Sequence, residues 1–133
     1  MPILDAICDY LETGTSLVEG TTLFKATMPP TPDACVAIYE YPGRPGVYTY
    51  GSGGAKVEMP RIQILSRALT YAAARSTLET IYTFLDGKTA VTLGGTLYLG
   101  IFATTAPAAA NDDRDDSNRE YCSCNFEIQK VVG

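Results

Sequence analysis

The sequence predicts an α+β fold: a mostly antiparallel sheet of about five strands, with one long helix packed on one face and a short N-terminal helix. A clear helical periodicity over residues 70–85 predicts the long helix. Segments before and after it alternate apolar and polar residues, which predicts strands, and the turns between them are short. Strands joined by short turns usually pair antiparallel. The length of 133 residues predicts one domain over residues 1–133.

A short helix is predicted over residues 3–12, where apolar side chains recur at steps of three and four. Gly14 is suited to end it. Residues 16–25 fit neither a helix nor a strand clearly. Residues 28–33 contain three prolines, which lack the N–H donor that a helix or a central strand needs. This stretch is therefore predicted to be a loop.

Three strands are predicted next. Residues 34–41 are rich in β-branched and aromatic types, and the prolines and glycines of residues 42–46 predict a turn after them. Residues 47–50 form a second short candidate, and residues 57–67 alternate as a third. The glycines of residues 51–54 predict a flexible connection. They lack the Gly-Lys-Ser/Thr of a phosphate loop, so no nucleotide site is predicted.

The central helix over residues 70–85 has a complete set of boundary signals. Thr70 is suited to cap its N-terminus, and apolar positions recur over nearly four turns. Gly87 follows it and can take the left-handed conformation that ends helices. Strands are then predicted over residues 89–92 and 97–104.

The last strand is predicted over residues 120–131. Cys122 and Cys124 alternate there with polar residues, which places both thiols on the core side. Their Cys-x-Cys spacing differs from the Cys-x₂₋₄-Cys of a zinc knuckle, and no second pair follows. We therefore expect the four cysteines to be small buried apolar side chains, with neither a metal ion nor another cofactor.

The composition excludes several function classes. Histidine is absent, which rules out Ser–His and Cys–His catalysis. The net charge is −5 without a basic stripe, which argues against duplex DNA binding. The apolar stretches are too short to span a membrane, and the acidic N-terminus does not resemble a signal peptide, so folding in a cytoplasm is expected. The sequence predicts an assembly module and not an enzyme.

One acidic segment stands out near the C-terminus. Residues 111–120 hold five acidic residues and two arginines, which is −3 of the net −5. The spacing lacks the glycine and the terminal glutamate of an EF-hand. Because so polar a segment buries little surface, we expect a solvated loop.

The strand and the central helix together resemble a known family. Residues 60–67 read Pro-Arg-Ile-Gln-Ile-Leu-Ser-Arg and lead into a helix that closes with Leu-Asp-Gly at residues 85–87. This pattern is similar to the strand–helix core of tail terminator and minor capsid proteins of long-tailed, siphovirus-type bacteriophages. Residues 97–101 and 125–128 fit the family in order, whereas Leu-Ser at residues 65–66 departs from its usual charged or small pair.

The resemblance implies a non-enzymatic virion protein, made in the host cytoplasm, that forms a ring, commonly a hexamer, at the head–tail junction. Such a ring ends polymerisation of the tail tube protein and presents the tail to the head connector or a head-completion protein. DNA passes through its lumen without specific binding, and no membrane is involved. The alternative is another head–tail junction protein, such as a head-completion or neck subunit, or a tail tube protein. A tube protein is expected to carry a long hairpin, which the sequence does not clearly show. A third alternative is an unrelated binding domain or small enzyme.

Two sets of residues are candidates for the surfaces of this assembly. An acidic wall would repel DNA phosphates, so the acidic segment is a candidate for the lumen or for a contact between subunits. Three arginines are candidates for contacts between subunits. The segment comprises Asp112, Asp113, Arg114, Asp115, Asp116 and Arg119, and the arginines are Arg44, Arg61 and Arg67.

Overall fold

The computed structural model describes residues 2–48, 56–109 and 119–132. Within these residues the chain forms two α-helices and a seven-stranded sheet. In chain order the elements are α1 (Ile3–Gly14), β1 (Leu23–Lys25), β2 (Cys35–Tyr48), β3 (Lys56–Ala68), α2 (Tyr71–Leu85), β4 (Lys88–Leu93), β5 (Thr96–Ala103), β6 (Ala108–Ala109) and β7 (Glu120–Val132).

The predicted fold class is wrong. The described chain is mostly β, a curled mixed sheet of seven strands with two helices, and not a mostly antiparallel sheet of five strands under one long helix. The strand order is β1-β2-β3-β7-β5-β4, with β6 beside β7. β1 runs parallel to β2, whereas the other strand pairs of the described residues are antiparallel. β1 and β6 have three and two residues, too few to show an alternation in the sequence.

β2 also differs from its prediction. The turn expected at residues 42–46 is part of β2, which continues through residues 47–48 of the strand predicted next; residues 49–50 of that prediction lie outside the described residues. The register of β2 against β3 shifts on both sides of Arg44. Among the described residues β1 pairs only with residues 36–38 of β2, so the prolines lie on a sheet edge that has no partner strand in this part of the chain, and proline is tolerated at such edges. A side chain at Gly43 would meet the carbonyl oxygen of Met59 at 2.1 Å, which explains the glycine.

β2 and β3 form a long antiparallel pair of 14 and 13 residues. β7 pairs with β3 on its other side, from Ala68 to Lys56, so this pair lies within the sheet.

The structure confirms both predicted helices. α2 begins at Tyr71, and the hydroxyl of Thr70 caps it by accepting a hydrogen bond from the backbone N–H of Ala73 at 3.2 Å. α2 ends before Gly87, which has a φ of 80°. No helix among the described residues has the length and apolar character that crossing a membrane requires.

Both helices pack on one face of the sheet, called the covered face, which carries Ile62, Ile64, Cys124 and Phe126. The alternation predicted for the last strand is confirmed, and all four cysteines are buried and unpaired, as expected. The opposite face, called the open face, carries Arg61, Gln63, Asn125 and Glu127, all of them half-buried. These side chains of the covered face form one core with the buried faces of α1 and α2. Besides the four residues named above, the core includes Ile3, Ala6, Ile7, Cys8, Leu11, Ala74, Leu78, Ile81 and Leu85 from the helices and Val36, Ile38, Ile101, Cys122 and Ile128 from the strands.

Candidate assembly surfaces

A row of side chains crosses four strands of the open face. The strand register places Tyr41 opposite Arg61, Arg61 opposite Glu127, and Glu127 opposite Phe102. Directly opposed residues of neighbouring antiparallel strands point to the same side of a sheet. Arg61 Nε lies 3.8 Å from Glu127 Oε1, and the two side chains are 35% and 15% exposed. Phe102, Glu127 and Arg61, called the row from here on, therefore present an aromatic ring, an anion and a cation in order.

Phe102 belongs to a small apolar patch at one end of the row. Its side chain is 39% exposed, and Leu97 and Leu99 of the same strand are 40% and 39% exposed. The ring of Phe102 lies over Gly100, where a Cβ would meet the ring carbon Cε2 at 2.2 Å. The glycine thus makes room for the aromatic ring on the open face. Phe102 was not predicted as a surface residue, because residues 97–104 are apolar at nearly every position and show no exposed side.

A second exposed group of the same types lies along one flank of α2. The Arg75 guanidinium donates through Nη1 to the Tyr71 hydroxyl at 2.8 Å and through Nε to Glu79 Oε1 at 2.9 Å. The hydrogen bond to Tyr71, together with the charge of Glu79, raises the pKa of Arg75. Tyr71, Arg75 and Glu79, called the stripe from here on, are spaced by four residues, and this spacing is the sequence signal from which the stripe could have been predicted. Leu69, 60% exposed, precedes the helix cap.

Two of the arginines predicted to lie on assembly surfaces are buried within the subunit. Arg67 is 3% exposed, and its guanidinium donates to the carbonyl oxygens of Asp33 at 3.1 Å and Pro32 at 2.6 Å. Arg119 is 7% exposed; its guanidinium donates to the carbonyl oxygen of Pro30 and lies 3.5 Å from Asp33 Oδ1. The structure thus brings these two arginines together to hold the proline-rich loop over the sheet.

The remaining predicted residues are placed differently. Arg61 stands six residues from Arg67 on the same strand, about 20 Å away at 3.3 Å per residue, so it belongs to another part of the surface. The backbone of Arg44 pairs with Met59, and its side chain lies outside the described residues. Asp112, Asp113, Arg114, Asp115 and Asp116 also lie outside them. The predicted lumen and contact roles of all these residues stay predictions.

A cluster of surface carboxylates lies near the end of α1. Oxygens of Asp9, Glu12 and Glu19 fall within 4.8 Å of one another. Lys25 pairs with Glu19 at 2.6 Å and also with Asp5, and these hydrogen bonds, led by that of Asp5, raise the pKa of the Lys25 ammonium. Glu19 is thus shared between this cluster and an ion-pair network in which Lys25 links α1 to β1. This network could not be predicted from the sequence, because residues 16–25 show no clear helical or strand pattern.

The buried thiols of the described core are poorly suited to act as nucleophiles. Burial, and secondarily the charge of Asp86, raises the pKa of Cys124 to about 12, and burial raises that of Cys8 to about 12. A thiol that stays protonated at neutral pH is a weak nucleophile. An open groove of about 580 Å³ beside α2 carries one carboxylate, Glu79, and one ammonium, Lys88, among mostly hydroxyl side chains. Glu79 of this lining is paired with Arg75 at 2.9 Å.

The chain matches the model of one protein family over most of its length. The family described as bacteriophage tail terminator protein matches residues 10–132, from within α1 to the last residue of β7. A chain from a solved structure titled "Virion of native gene transfer agent (GTA) particle" superposes with a TM-score of 0.53 at 17% sequence identity, over 85% of this chain and 81% of that chain. At this identity the likeness establishes a shared fold. No curated protein matches the chain.

Proposed function

This chain belongs to the bacteriophage tail terminator protein family, and we propose that it forms a ring at the head-proximal end of the tail tube, where it ends tube polymerisation and joins the tail to the head connector. It is a structural protein of a phage tail, and membership of this structural family supports a non-enzymatic role. The observation that carries the proposal is the family match over residues 10–132.

The surfaces and the charge of the chain support a ring. A ring of identical subunits needs two different surfaces on each subunit, because each copy meets its two neighbours in different ways. The row and the stripe are two such surfaces, and they share no residue. A net charge of −5 suits a channel wall that repels phosphates and lets DNA pass without holding it. The acidic segment around Asp112 to Asp116 remains our candidate for this wall, and six is the subunit number that the resemblance implies.

A phage that lacks this gene tests the proposal. Without a terminator, nothing stops tube growth, so we expect headless tails that are longer than normal and variable in length. Filled heads should accumulate beside them. Tail lengths measured by negative-stain electron microscopy check this, and supplying the wild-type gene in trans should restore one length.

The same experiment separates the alternatives. A head-completion or neck subunit would leave tails of normal length that fail to join heads. A tube protein would leave no tails at all. Either result would replace the terminator proposal with the corresponding role.

A further inference from the structure

We propose that neighbouring copies of this chain join by placing the stripe of one copy (Tyr71, Arg75 and Glu79) on the row of the next (Phe102, Glu127 and Arg61). The inference rests on the proposed ring function and names the contact that builds the ring. Its occupant is therefore a second copy of this chain.

The order of charges carries the inference. Along the row an aromatic ring is followed by an anion and then a cation. Along the stripe an aromatic ring is followed by a cation and then an anion. With the two aromatic rings together, Glu127 faces Arg75 and Arg61 faces Glu79, so each charge meets its opposite. Such complementarity fixes the register of a contact and excludes others.

The spacing of the two surfaces also matches. Neighbouring strands lie about 4.8 Å apart, so Glu127 and Arg61 stand about 5 and 10 Å from Phe102 across the sheet. A helix rises about 1.5 Å per residue, so Arg75 and Glu79 stand about 6 and 12 Å from Tyr71. The mismatch at the far end is about 2 Å, which long arginine and glutamate side chains can absorb.

Exposure points to the same two surfaces. Glu79 is 55% exposed and Arg61 is 35% exposed, so both can reach a neighbour. Six large apolar side chains of the described residues are exposed, and all except Val18 lie on the patch beside the row or at the start of the stripe. Aromatic residues and arginine are the types enriched in the centres of protein interfaces. The remaining five are Leu97, Leu99 and Phe102 at the row, and Leu69 and Tyr71 at the stripe.

The contact leaves each copy with one unused surface. A copy whose stripe is occupied still presents its row to a third copy, so the chain of contacts continues until it closes on itself. This is the property that a ring requires and that a two-fold dimer lacks.

Two single variants, Phe102→Asp and Tyr71→Asp, test the contact. Each loses one surface and keeps the other, so each alone should stay monomeric where the wild type forms an oligomer larger than a dimer. Their equimolar mixture has one intact row and one intact stripe, so it should form dimers and nothing larger. Sedimentation velocity, with the protein alone and with assembled tail tubes, measures these sizes. Thr80→Asp, an exposed position on α2 outside the stripe, should assemble as the wild type does.

Other results would overturn the inference. If wild type and both variants assemble alike, the contact is wrong while the proposed ring stands. If the wild type remains monomeric even with tubes, the ring proposal fails as well. If either variant does not fold, as judged by circular dichroism, Leu97→Asp and Leu69→Asp replace Phe102→Asp and Tyr71→Asp in the same mixture.

Charge reversal tests the order of the pairing itself. Arg61→Glu and Glu79→Arg should each weaken self-association at least about tenfold, the loss typical of a significant interface residue. The double variant restores opposite charges across the contact, so it should associate more tightly than either single variant. A double variant as weak as its parents would show that Arg61 and Glu79 do not meet.

Discussion

The two faces of the sheet are made from the same strands and differ in nearly every other respect. On β3 and β7 the covered face holds Ile62, Ile64 and Phe126, each 0% exposed. Between them, the open face holds Arg61 and Glu127, whose ion pair at 3.8 Å remains partly in water. Because successive side chains of a strand point to opposite faces, a step of one residue along the strand leads from the core to the surface. The covered face therefore stabilises the subunit, and the open face carries the row that we propose as a contact between copies.

Among the substitutions that distinguish the two faces, truncation of Phe126 should lower the free energy of unfolding the most. Its ring is fully buried under α2, with the Tyr82 ring centroid 6.3 Å away. Phe126→Ala removes those contacts and leaves a cavity, which typically lowers the free energy of unfolding by about 3–5 kcal/mol. Urea denaturation followed by circular dichroism measures the loss.

The neighbouring position on the open face is the matched control. Asn125 Oδ1 has no hydrogen-bond partner among the described residues, so Asn125→Ala removes little and should cost under about 1 kcal/mol. Equal losses at Phe126 and Asn125 would show that the two faces do not divide their roles in this way.

Local patterns explain which parts of the fold were predictable. α2 and β7 carry their signals within their own residues, as helical spacing with a cap and as strict alternation, and both are confirmed. The prolines of β2 look like a turn because only the pairing with β3 shows that bulges absorb them. The same limit applies to the surfaces. The alternation of the sequence predicts that Arg61 and Ile62 point to different faces of the sheet. The burial of Arg67, by contrast, depends on a loop more than 30 residues away in sequence.

Arg67 is an exception to the comparison, because it lies on the open-face side of β3 and yet is buried beneath the proline-rich loop. Arg67→Ala removes two charge-assisted hydrogen bonds and leaves the carbonyl oxygens of Pro32 and Asp33 without them. We expect the free energy of unfolding to fall by about 2–3 kcal/mol in urea denaturation.

Arg61 is the matched control for Arg67, on the same strand and with the same side chain. Its ion pair with Glu127 is partly exposed, so Arg61→Ala should cost about 0–1 kcal/mol in the same denaturation experiment. A larger loss for Arg61 than for Arg67 would contradict the assignment of Arg67 to the fold and Arg61 to the surface.

A loss of stability in alkaline solution, smaller than the losses expected for Phe126→Ala and Arg67→Ala, should originate on the covered face. Burial raises the pKa of Cys124 from 9.0 to about 12, so the folded thiol keeps its proton over a range in which the unfolded thiol has lost it. Stability from this source is complete below pH 9 and declines as the pH rises through 12. At pH 10 the loss should be about 1 kcal/mol for this thiol. Urea midpoints between pH 7 and 10.5 measure it, and Cys124→Ala should make the decline less steep, while Cys8, whose pKa burial also raises to about 12, keeps its own share. If the slope is unchanged in Cys124→Ala, the alkaline loss comes from other groups, and the covered face does not hold this thiol protonated.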